Sequence, residues 1–366
     1  MIKRKVLIVI TTDFVPYGGL TTVMMNYYRV MNKENLQIDF ASTNDPCDEL
    51  KQELAQNGSK YFDLGSRKYS PMHYMKKLAT VLKMEKYDVI HVNGNSSTMA
   101  MELVTAKLVG VPSRIAHVHT TRSKYPYANV VLHPIFVTSY TTALAVSKQA
   151  GDWLYGKNYT LLNNAINTAK YKFNVDVREK MRKKYELTGK FVIGTVGKLT
   201  PPKNHIHLLQ TFAEYSKKDE TAILVIAGGG ELEQHLKAKA AELGVASKVI
   251  FLGMYSDIAG ILQAFDAFVF PSLFEGLGLA IIEAQAAGLP CIASTAVPQE
   301  TNVTPYISYL DLDSDTAVWV DKIAETKVQM LNTDRLSISE KARECIREHG
   351  YEISCEAEKL ENIYNS

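Results

Sequence analysis

Residues 267–284 read AFVFPSLFEGLGLAIIEA, which is a short apolar strand, a loop with two glycines and an apolar helix. The strand, predicted over 267–270, has no polar residue at alternate positions, which is typical of a strand covered on both faces. The helix is predicted over 278–287. A buried strand that leads through a short loop into a helix is the repeating unit of a parallel sheet with helices on both sides.

The same alternation of strand and helix extends along the rest of the chain. Further strands are predicted over 5–10, 88–92, 114–118, 143–146, 191–196, 222–227 and 249–252. The alternation breaks at 163–190, which is polar and has no strand pattern, and then resumes. Because 366 residues suffice for about two domains, the sequence predicts two doubly wound α/β domains in series, followed by a last helix over 353–364.

The composition is that of an ordinary globular protein with nearly balanced charge. Lys and Arg number 41 against 39 Asp and Glu, and the resulting charge of +2 argues against a general polyanion binder. The four cysteines are scattered, with no spacing typical of a zinc site. The apolar run at 6–10 is shorter than that of a secretion signal, and no stretch of about 18 apolar residues indicates a membrane span. We therefore expect a cytoplasmic protein.

Two lysines follow the strand predicted over 191–196, in the loop VGKLTPPKN at 196–204. Ligands of doubly wound sheets bind outside the carboxyl ends of the strands, where Lys198 and Lys203 stand beside the start of a helix. Asn204 is predicted to cap that helix through its side chain. Free helix amides and two ammonium groups form a site for a phosphate group. The alternative is a proline turn with two solvated lysines.

Two carboxylates flank the glycines of the stretch quoted first. Glu275 lies in the loop, where Gly276 and Gly278 leave room for a ligand. Glu283 lies among apolar residues of the predicted helix, where an unpaired carboxylate is costly to bury. It therefore needs a partner, and the vicinal hydroxyls of a sugar or ribose are suitable donors. The alternative is a carboxylate satisfied by the backbone or by a lysine.

Three further motifs also follow predicted strands. Gly18 and Gly19 permit close approach of a ligand, although their spacing is not that of a dinucleotide fingerprint. The glycines at 228–230 are interpreted as a flexible turn. His117 and His119, in HVHT, point to the same face of a strand. His119 is the candidate to bind a sugar hydroxyl or a phosphate as a neutral imidazole, whereas a hydrogen-bonded structural role is favoured for His117.

The run DLDSD at 311–315 contains two Asp-x-Asp pairs, a pattern that can hold a divalent metal. It stands just before a helix predicted over 316–331, where aspartates cap the first turn and favour the helix dipole. Capping is the favoured interpretation, and no metal is expected.

Together these motifs resemble those of the retaining glycosyltransferases of family four, which have the GT-B fold. The similarity covers the whole chain and is specific in its second half, where Glu275 and Glu283 form a Glu-x7-Glu motif. VGKLTPPKN matches the family's phosphate loop, GGLTT its N-terminal glycine loop and HVHT its active-site strand. The chain departs from the family at Lys198, which is often Arg, and at the hinge turn, where Ala165 and Asn167 replace Gly and Asp.

The resemblance implies two Rossmann-like domains that face each other across a cleft. The first domain, 1–165, would bind the acceptor, and the domain at 166–349 would bind the nucleotide sugar. Residues 350–366 would form a helix that crosses back onto the first domain.

The resemblance also implies roles for individual residues. Lys198 and Lys203 would hold the donor diphosphate and stabilise its charge as it leaves, and His119 would contact the donor sugar or the leaving phosphate. Glu275 would contact the transferred sugar, and Glu283 the donor ribose. The donor-binding residues implied in this way are Gly18, Gly19, Gly197, Gly276, Leu277, Gly278, Leu279 and Glu283.

The implied reaction moves a hexose or N-acetylhexosamine from a nucleotide diphosphate, with UDP as the expected carrier, to an acceptor hydroxyl with retention of configuration and without a metal or another cofactor. The motif at 275–291 is most like that of bacterial exopolysaccharide and capsule enzymes. The expected acceptor is a sugar or a lipid-linked sugar, and no nucleic acid is expected. Two alternatives stay open, namely a non-catalytic GT-B subunit that binds a sugar nucleotide and a nucleotide-sugar epimerase.

The basic residues at 178–184 and at 3–5 could contact an anionic membrane leaflet. A solvated helix face explains the same charges equally well. A peripheral position at the inner face of the plasma membrane is therefore left open.

Overall fold

The computed structural model describes residues 3–16, 18–331 and 333–366, which form two compact units. Unit 1 is the chain up to Ala165 together with Ile353–Ser366, and unit 2 is Ile166–Glu352. Each unit has its own parallel sheet. Residues 350–352, expected to belong with the final helix, lie in unit 2, where the Tyr351 carbonyl accepts a hydrogen bond from the Ile166 amide (2.9 Å).

Unit 1 is built on seven parallel strands. They are β1 (Arg4–Ile10), β2 (Leu36–Ser42), β3 (Tyr61–Asp63), β4 (Val89–Gly94), β5 (Ser113–Val118), β6 (Thr142–Ala145) and β7 (Thr160–Leu161). In the sheet they lie in the order β3-β2-β1-β4-β5-β6-β7. The first six helices of the chain belong to this unit and are α1 (Gly19–Val30), α2 (Asp48–Gln56), α3 (Pro71–Glu85), α4 (Ala100–Val109), α5 (Pro126–Val137) and α6 (Lys148–Tyr155).

Strand β1 is buried on both faces, which is why its sequence is apolar without alternation. Val6, Ile8 and Ile10 pack into one hydrophobic core, and Leu7 and Val9 pack into another on the opposite face. All five side chains are fully buried. The sheet is therefore a central layer between two layers of helices, as the apolar run predicts.

Unit 2 repeats this arrangement with six parallel strands. They are β8 (Phe191–Val196), β9 (Ala222–Ala227), β10 (Val249–Phe251), β11 (Ala267–Phe270), β12 (Cys291–Ser294) and β13 (Ile307–Leu310). Their order in the sheet is β10-β9-β8-β11-β12-β13. The helices of unit 2 are α7 (Thr168–Tyr171), α8 (Val175–Lys184), α9 (His205–Lys218), α10 (Glu233–Glu242), α11 (Ile258–Ala264), α12 (Leu279–Ala286), α13 (Thr316–Leu331) and α14 (Arg335–Glu348).

The chain then returns to unit 1 as α15 (Ile353–Asn365), which packs against α1. Leu360 and Tyr364 of α15 are fully buried in the same core as Tyr27 of α1. The Asn163 amide donates to Glu356 Oε2 (3.0 Å) and ties α15 to the segment after β7. The crossing of the last helix back onto the first sheet is therefore confirmed.

The predicted architecture of two doubly wound parallel sheets in series is confirmed, although five strands were not predicted. One of them is β2, whose apolar run is interrupted by Gln37 and Asp39. Asp39 is nonetheless buried, because its carboxylate accepts hydrogen bonds from the Tyr87 hydroxyl (2.7 Å) and the Lys60 amide (2.8 Å). The others, β3, β7, β12 and β13, have only two to four residues each and show too little pattern to be recognised.

Part of the basic stretch at 178–184 is structural. Arg178 and Arg182 pair with Asp266 and donate to carbonyls at the end of α11, and their side chains are only 22% and 11% exposed. The exposed cations of this stretch are Lys180, Lys183 and Lys184. Across residues 3–16, 18–331 and 333–366, no helix combines the length and the apolar character needed to cross a bilayer.

Two arginine–glutamate pairs of unit 1 share a two-bond geometry but differ in burial, and this difference predicts different contributions to stability. Arg67 bonds the fully buried carboxylate of Glu102 (2.6 and 3.1 Å), whereas Arg29 bonds Glu53 at the surface (2.7 and 2.8 Å). Arg67→Met should lower the free energy of unfolding by about 3–5 kcal/mol, because it leaves a buried charge unpaired. Arg29→Met, the matched control, should cost about 1 kcal/mol or less. Urea denaturation measures both, and similar losses would contradict the burial argument.

Candidate active site

The loop at 197–204 leaves the carboxyl end of β8 and enters α9. Pro201–Lys203 form one turn of 3-10 helix, and Asn204 then adopts a left-handed conformation (φ 53°). The predicted side-chain cap is wrong, because the Asn204 side chain bonds no described amide in the first turn of α9. Its backbone carbonyl instead accepts from the His207 amide (3.1 Å).

The glycines at 228–230 support this loop through close backbone packing. A Cβ atom at Gly228 (φ 154°) would lie 1.9 Å from the Gly197 carbonyl oxygen. One at Gly230 would lie 2.5 Å from the Leu199 carbonyl oxygen. The interpretation of these glycines as a flexible turn is therefore wrong, since a second segment of backbone occupies the space that their side chains would need.

The two main motifs of unit 2 meet at an ion pair between Lys203 and Glu275. Lys203 Nζ lies 2.6 Å from Glu275 Oε1, and the Ser272 hydroxyl donates to the same oxygen (2.7 Å). The ammonium also lies 4.9 Å from the centre of the Phe270 ring, a favourable cation–π contact. Because β8 and β11 are neighbours in the sheet, loops distant in sequence bring these groups together at the carboxyl ends of the strands.

Lys198 and Gly197 lie in the same loop as Lys203, but Lys198 is not part of the ion pair. Lys198 is exposed and has no ion-pair partner among the described residues. A Cβ atom at Gly197 would make only an ordinary contact (3.6 Å) with the Lys203 side chain. The two lysines predicted to act together therefore differ, since Lys203 is held in place and Lys198 is free to reorient toward a ligand.

The residues after Glu275 form an open loop anchored by leucines. Gly276 is exposed, and a Cβ atom there would meet no described atom within 4 Å. Gly278 has a φ of 86°, a conformation that favours glycine, and directly precedes α12 without a side-chain cap. Leu277 and Leu279 are half-buried and pack against the core of unit 2. The first turn of α12 therefore begins without a side-chain cap, beside an anchored loop.

Glu283 is bonded by a tyrosine that sequence reasoning missed. The Tyr171 hydroxyl donates to Glu283 Oε1 (2.7 Å). Burial raises the pKa of Glu283 to about 7, although the Tyr171 hydrogen bond and the charge of Lys170 act in the opposite direction. Tyr171 lies in the polar stretch at 163–190, where no pattern distinguishes it from its neighbours. The partner that Glu283 needs is therefore supplied in part by α7.

In unit 1, Gly18 and Gly19 stand where the loop after β1 enters α1. A Cβ atom at Gly18 would lie 3.1 Å from the Val15 side chain and 3.2 Å from Thr21 Oγ1. A Cβ atom at Gly19 would meet no described atom within 4 Å. Gly18 therefore fits a tight turn, and Gly19 leaves open space at the start of the helix.

His117 and His119 point to the same face of β5, as predicted, with ring centres 4.2 Å apart. His119 Nε2 lies 3.0 Å from Asn93 Oδ1, and burial lowers the pKa of His119 to about 3, so that its imidazole is neutral at pH 7. His117 Nδ1 lies 3.2 Å from His91 Nε2, which is the structural hydrogen bond favoured for His117.

The aspartates at 311–315 act as predicted at the start of α13. Asp315 Oδ1 accepts a hydrogen bond from the Ala317 amide in the first turn (2.9 Å). Within the described parts of the chain, no three His, Cys, Asp or Glu side chains are grouped so that they could hold a metal ion. The hydrogen bond from the Ala317 amide is the cap that the sequence predicts.

Comparisons with known proteins identify one family. The family described as glycosyl transferases group 1 matches residues 177–315. The chain is 28% identical over 364 residues to the Bacillus subtilis (strain 168) protein named glycosyltransferase EpsF, over 95% of this chain and 93% of that protein. It is 31% identical over 240 residues to the Escherichia coli UDP-Gal:alpha-D-GlcNAc-diphosphoundecaprenol alpha-1,3-galactosyltransferase, over 61% and 62% of the two proteins. The crystal structure of a glycosyltransferase from Rickettsia africae ESF-5 superposes with a TM-score of 0.82 at 19% identity, covering 99% of this chain and 98% of that one.

The chain therefore belongs to the glycosyl transferase group 1 family, which is family four of the retaining glycosyltransferases, and it has the GT-B fold. It is a glycosyltransferase that uses a nucleotide-sugar donor and retains the configuration of the transferred sugar. The resemblance inferred from the motifs is confirmed.

The raised pKa of Glu283 predicts a pH dependence of stability. The group binds its proton more tightly in the folded protein (pKa about 7) than at its ordinary value of 4.5. Its stabilising contribution is therefore present in acid and is lost as the pH rises through 7. Glu283→Gln keeps an acceptor for the Tyr171 hydroxyl and removes the titration, so the wild type should lose stability relative to this variant between pH 5 and 8 in urea unfolding. Glu214→Gln, on an exposed side chain, controls for a general substitution effect, and a pH-independent difference for Glu283→Gln would contradict the assignment.

The close packing of the glycines at 228–230 predicts that Gly228→Ala is strongly destabilising. The substitution combines an unfavourable φ with a clash against the Gly197 carbonyl, so the free energy of unfolding should fall by about 2 kcal/mol or more. Gly276→Ala is the control, because its new methyl group would enter open space and should change stability by about 0.5 kcal/mol or less. Urea denaturation compares the two, and equal effects would show that the loop is not supported in this way.

Proposed function

We propose that this enzyme transfers a hexose or N-acetylhexosamine from a UDP-sugar to an acceptor hydroxyl in cell-surface polysaccharide biosynthesis. The observation that carries the proposal is the contact of Lys203 with Glu275 at the carboxyl ends of β8 and β11. It places an ammonium group, which can bind a phosphate, beside a carboxylate, which can accept a hydrogen bond from a sugar hydroxyl. The name of the Escherichia coli relative, which includes UDP-Gal and a diphosphoundecaprenol-linked acceptor, supports UDP as the carrier and a lipid-linked sugar as the acceptor.

The positive groups of unit 2 are suited to the donor diphosphate. Lys203 would bind it with an ammonium that Glu275 and the Phe270 ring already orient. Exposed Lys198 would add a second cation, and Gly197 would let the phosphate approach the backbone. The amides at the start of α12, after Gly276 and Gly278, are not capped by a side chain and would contribute further donors.

The two glutamates of unit 2 would bind different hydroxyls of the donor. Both bonds of Glu275 within the described residues go to Oε1, so Oε2 is open to a hydroxyl of the transferred sugar. Glu283 would bind the ribose hydroxyls with the oxygen that Tyr171 leaves open. Leu277 and Leu279 would hold the intervening backbone in place for contacts with sugar and phosphate.

Transfer would proceed by attack of the acceptor oxygen on the face of the sugar that the diphosphate leaves. The bond between C1 and the phosphate oxygen breaks, the bond between C1 and the acceptor oxygen forms, and the acceptor proton passes to the leaving diphosphate. Lys203 and Lys198 would stabilise the growing negative charge of the leaving group, which is the role that a divalent metal has in other transferases. His119, as a neutral imidazole, would contact the donor sugar or the leaving phosphate, and Gly18 and Gly19 would give the diphosphate or acceptor room.

The expected setting of this reaction is the cytoplasm, at the inner face of the plasma membrane. A lipid-linked acceptor would place the enzyme beside an anionic leaflet. Within the stretch at 178–184, the exposed Lys180, Lys183 and Lys184 are the cations that could take part in such a contact. Arg178 and Arg182 are excluded from it, because they are engaged with Asp266.

Substitution of Lys203 and Glu275 tests the proposed roles. A thermal-shift screen of nucleotide sugars first identifies the donor, because a ligand that binds the folded state raises its melting temperature. Lys203→Ala and Glu275→Ala should then each lower kcat for release of the nucleotide diphosphate by about a hundredfold or more, because each removes a group that stabilises the transition state. Lys237→Ala, which removes a surface pair with Glu233 and a contact with the Phe251 ring, is the control and should retain activity. Unchanged turnover in a folded Lys203 or Glu275 variant would overturn the assignment.

A further inference from the structure

Four side chains of unit 1 form a row, namely Tyr364, His91, His117 and His119, and two of its histidine nitrogens have no hydrogen-bond partner among the described residues. The Tyr364 hydroxyl of α15 lies 2.6 Å from His91 Nδ1, and His91 Nε2 lies 3.2 Å from His117 Nδ1. These three side chains are fully buried. Beyond them, His117 Nε2 and His119 Nδ1 are buried and have no hydrogen-bond partner in the described parts of the chain.

The hydrogen bonds determine which nitrogen of His117 carries its proton. Burial lowers the pKa of all three histidines of the row, to about 3 for His91 and His119, so each is neutral at pH 7 and carries one N–H and one lone pair. Among the described residues, His91 Nδ1 is the only acceptor recorded for the buried Tyr364 hydroxyl, so Tyr364 donates to it. His91 therefore donates from Nε2 to His117 Nδ1, and the proton of His117 is on Nε2.

Asn93 determines the tautomer of His119. Asn93 Nδ2 donates to the His91 carbonyl (3.3 Å), so Asn93 Oδ1 faces His119 Nε2 and accepts its proton. His119 Nδ1 is then a lone pair. His117 Nε2–H is thus a buried hydrogen-bond donor and His119 Nδ1 is a buried acceptor, on rings whose centres are 4.2 Å apart. A buried polar atom left without a partner is unfavourable.

We propose that His117 is a second ligand-binding residue of the transfer reaction, which donates its Nε2–H to a donor-substrate oxygen bound beside His119, and that Tyr364 holds it in this tautomer through His91. The inference rests on the proposed function, in which His119 alone contacts the substrate from this row. The structural hydrogen bond expected for His117 gives its Nδ1 a partner in His91 but gives no partner to its Nε2. The oxygen belongs to a hydroxyl of the sugar or to a phosphate.

Nitrogen-15 NMR of the full chain, labelled at histidine, tests the tautomer assignment without a substrate. In the wild type, His117 should show a protonated Nε2 and an unprotonated Nδ1. Tyr364→Phe removes the hydroxyl that fixes the row, so both His117 signals should move toward values averaged between the two tautomers. Tyr27→Phe is the matched control, because it removes another buried hydroxyl from the same core, one that donates to the Asn163 carbonyl (2.5 Å). Unchanged His117 signals in Tyr364→Phe, or equal changes in both variants, would overturn the role of Tyr364.

Addition of ligand to the labelled protein tests the contact itself. UDP, UDP-glucose, UDP-galactose and UDP-N-acetylglucosamine are the probes. A shift of His117 Nε2 with UDP alone would assign the contact to a phosphate oxygen, and a shift only with a UDP-sugar would assign it to a sugar hydroxyl. The contact is overturned if a saturating probe moves the His119 signals but not His117 Nε2, or if none of the four binds.

Kinetics distinguishes this positioning role from a general loss of stability. With the donor identified by the screen, Tyr364→Phe should lower kcat/KM by about five- to tenfold, the size expected for one hydrogen bond. Tyr27→Phe should stay close to the wild type at the same degree of folding. If no donor supports transfer, the proposed function fails, while the spectra of the free protein still decide whether Tyr364 sets the tautomer of His117.

Discussion

The contact between Lys203 and Glu275 is the interaction on which the candidate site of unit 2 depends. It joins the loop after β8 to the loop after β11, and a backbone bond from the Leu273 amide to the Pro202 carbonyl (2.7 Å) reinforces the same junction. The two side chains are 23% and 8% exposed, so the pair is largely shielded from water. Partly buried ion pairs of this kind contribute little net stability. In this site the pair instead fixes the orientation of an ammonium that would otherwise move freely.

Charge has two separate uses in unit 2, at opposite ends of the same strands. At the amino ends, Arg178 and Arg182 surround Asp266, and buried Arg335 donates to carbonyls at the ends of α11 and α12. These arginines neutralise carbonyl groups at helix ends and have a structural explanation. At the carboxyl ends, Lys203 pairs with a single carboxylate, that of Glu275. The net charge of +2 does not reveal this separation, because the positive and negative charges nearly cancel over the whole chain.

The architecture was predictable from the sequence where a strand forms an apolar run buried on both faces, as β1 does, because such a run indicates a buried strand by itself. It was not predictable for β2, where Asp39 is satisfied by Tyr87 from a distant part of the chain. The site shows the same limit. The chemistry of Lys203 and Glu275 was recognisable in each motif, but their contact depends on the adjacency of β8 and β11. Likewise, nothing local distinguishes Tyr171 as the partner of Glu283, nor the close backbone packing at 228–230 from a mobile turn.

The return of α15 to the first sheet has a consequence for how the protein is made. Ile353, Ala357, Leu360 and Tyr364 complete a core whose remaining members, including Tyr27, leave the ribosome before all of unit 2. Domains usually fold in order of synthesis, but this core stays open while unit 2 emerges and folds. The hydrogen bond to His91 also forms only when α15 arrives. A nascent or truncated chain that lacks α15 therefore exposes apolar surface to chaperones and proteases before its histidine row is assembled.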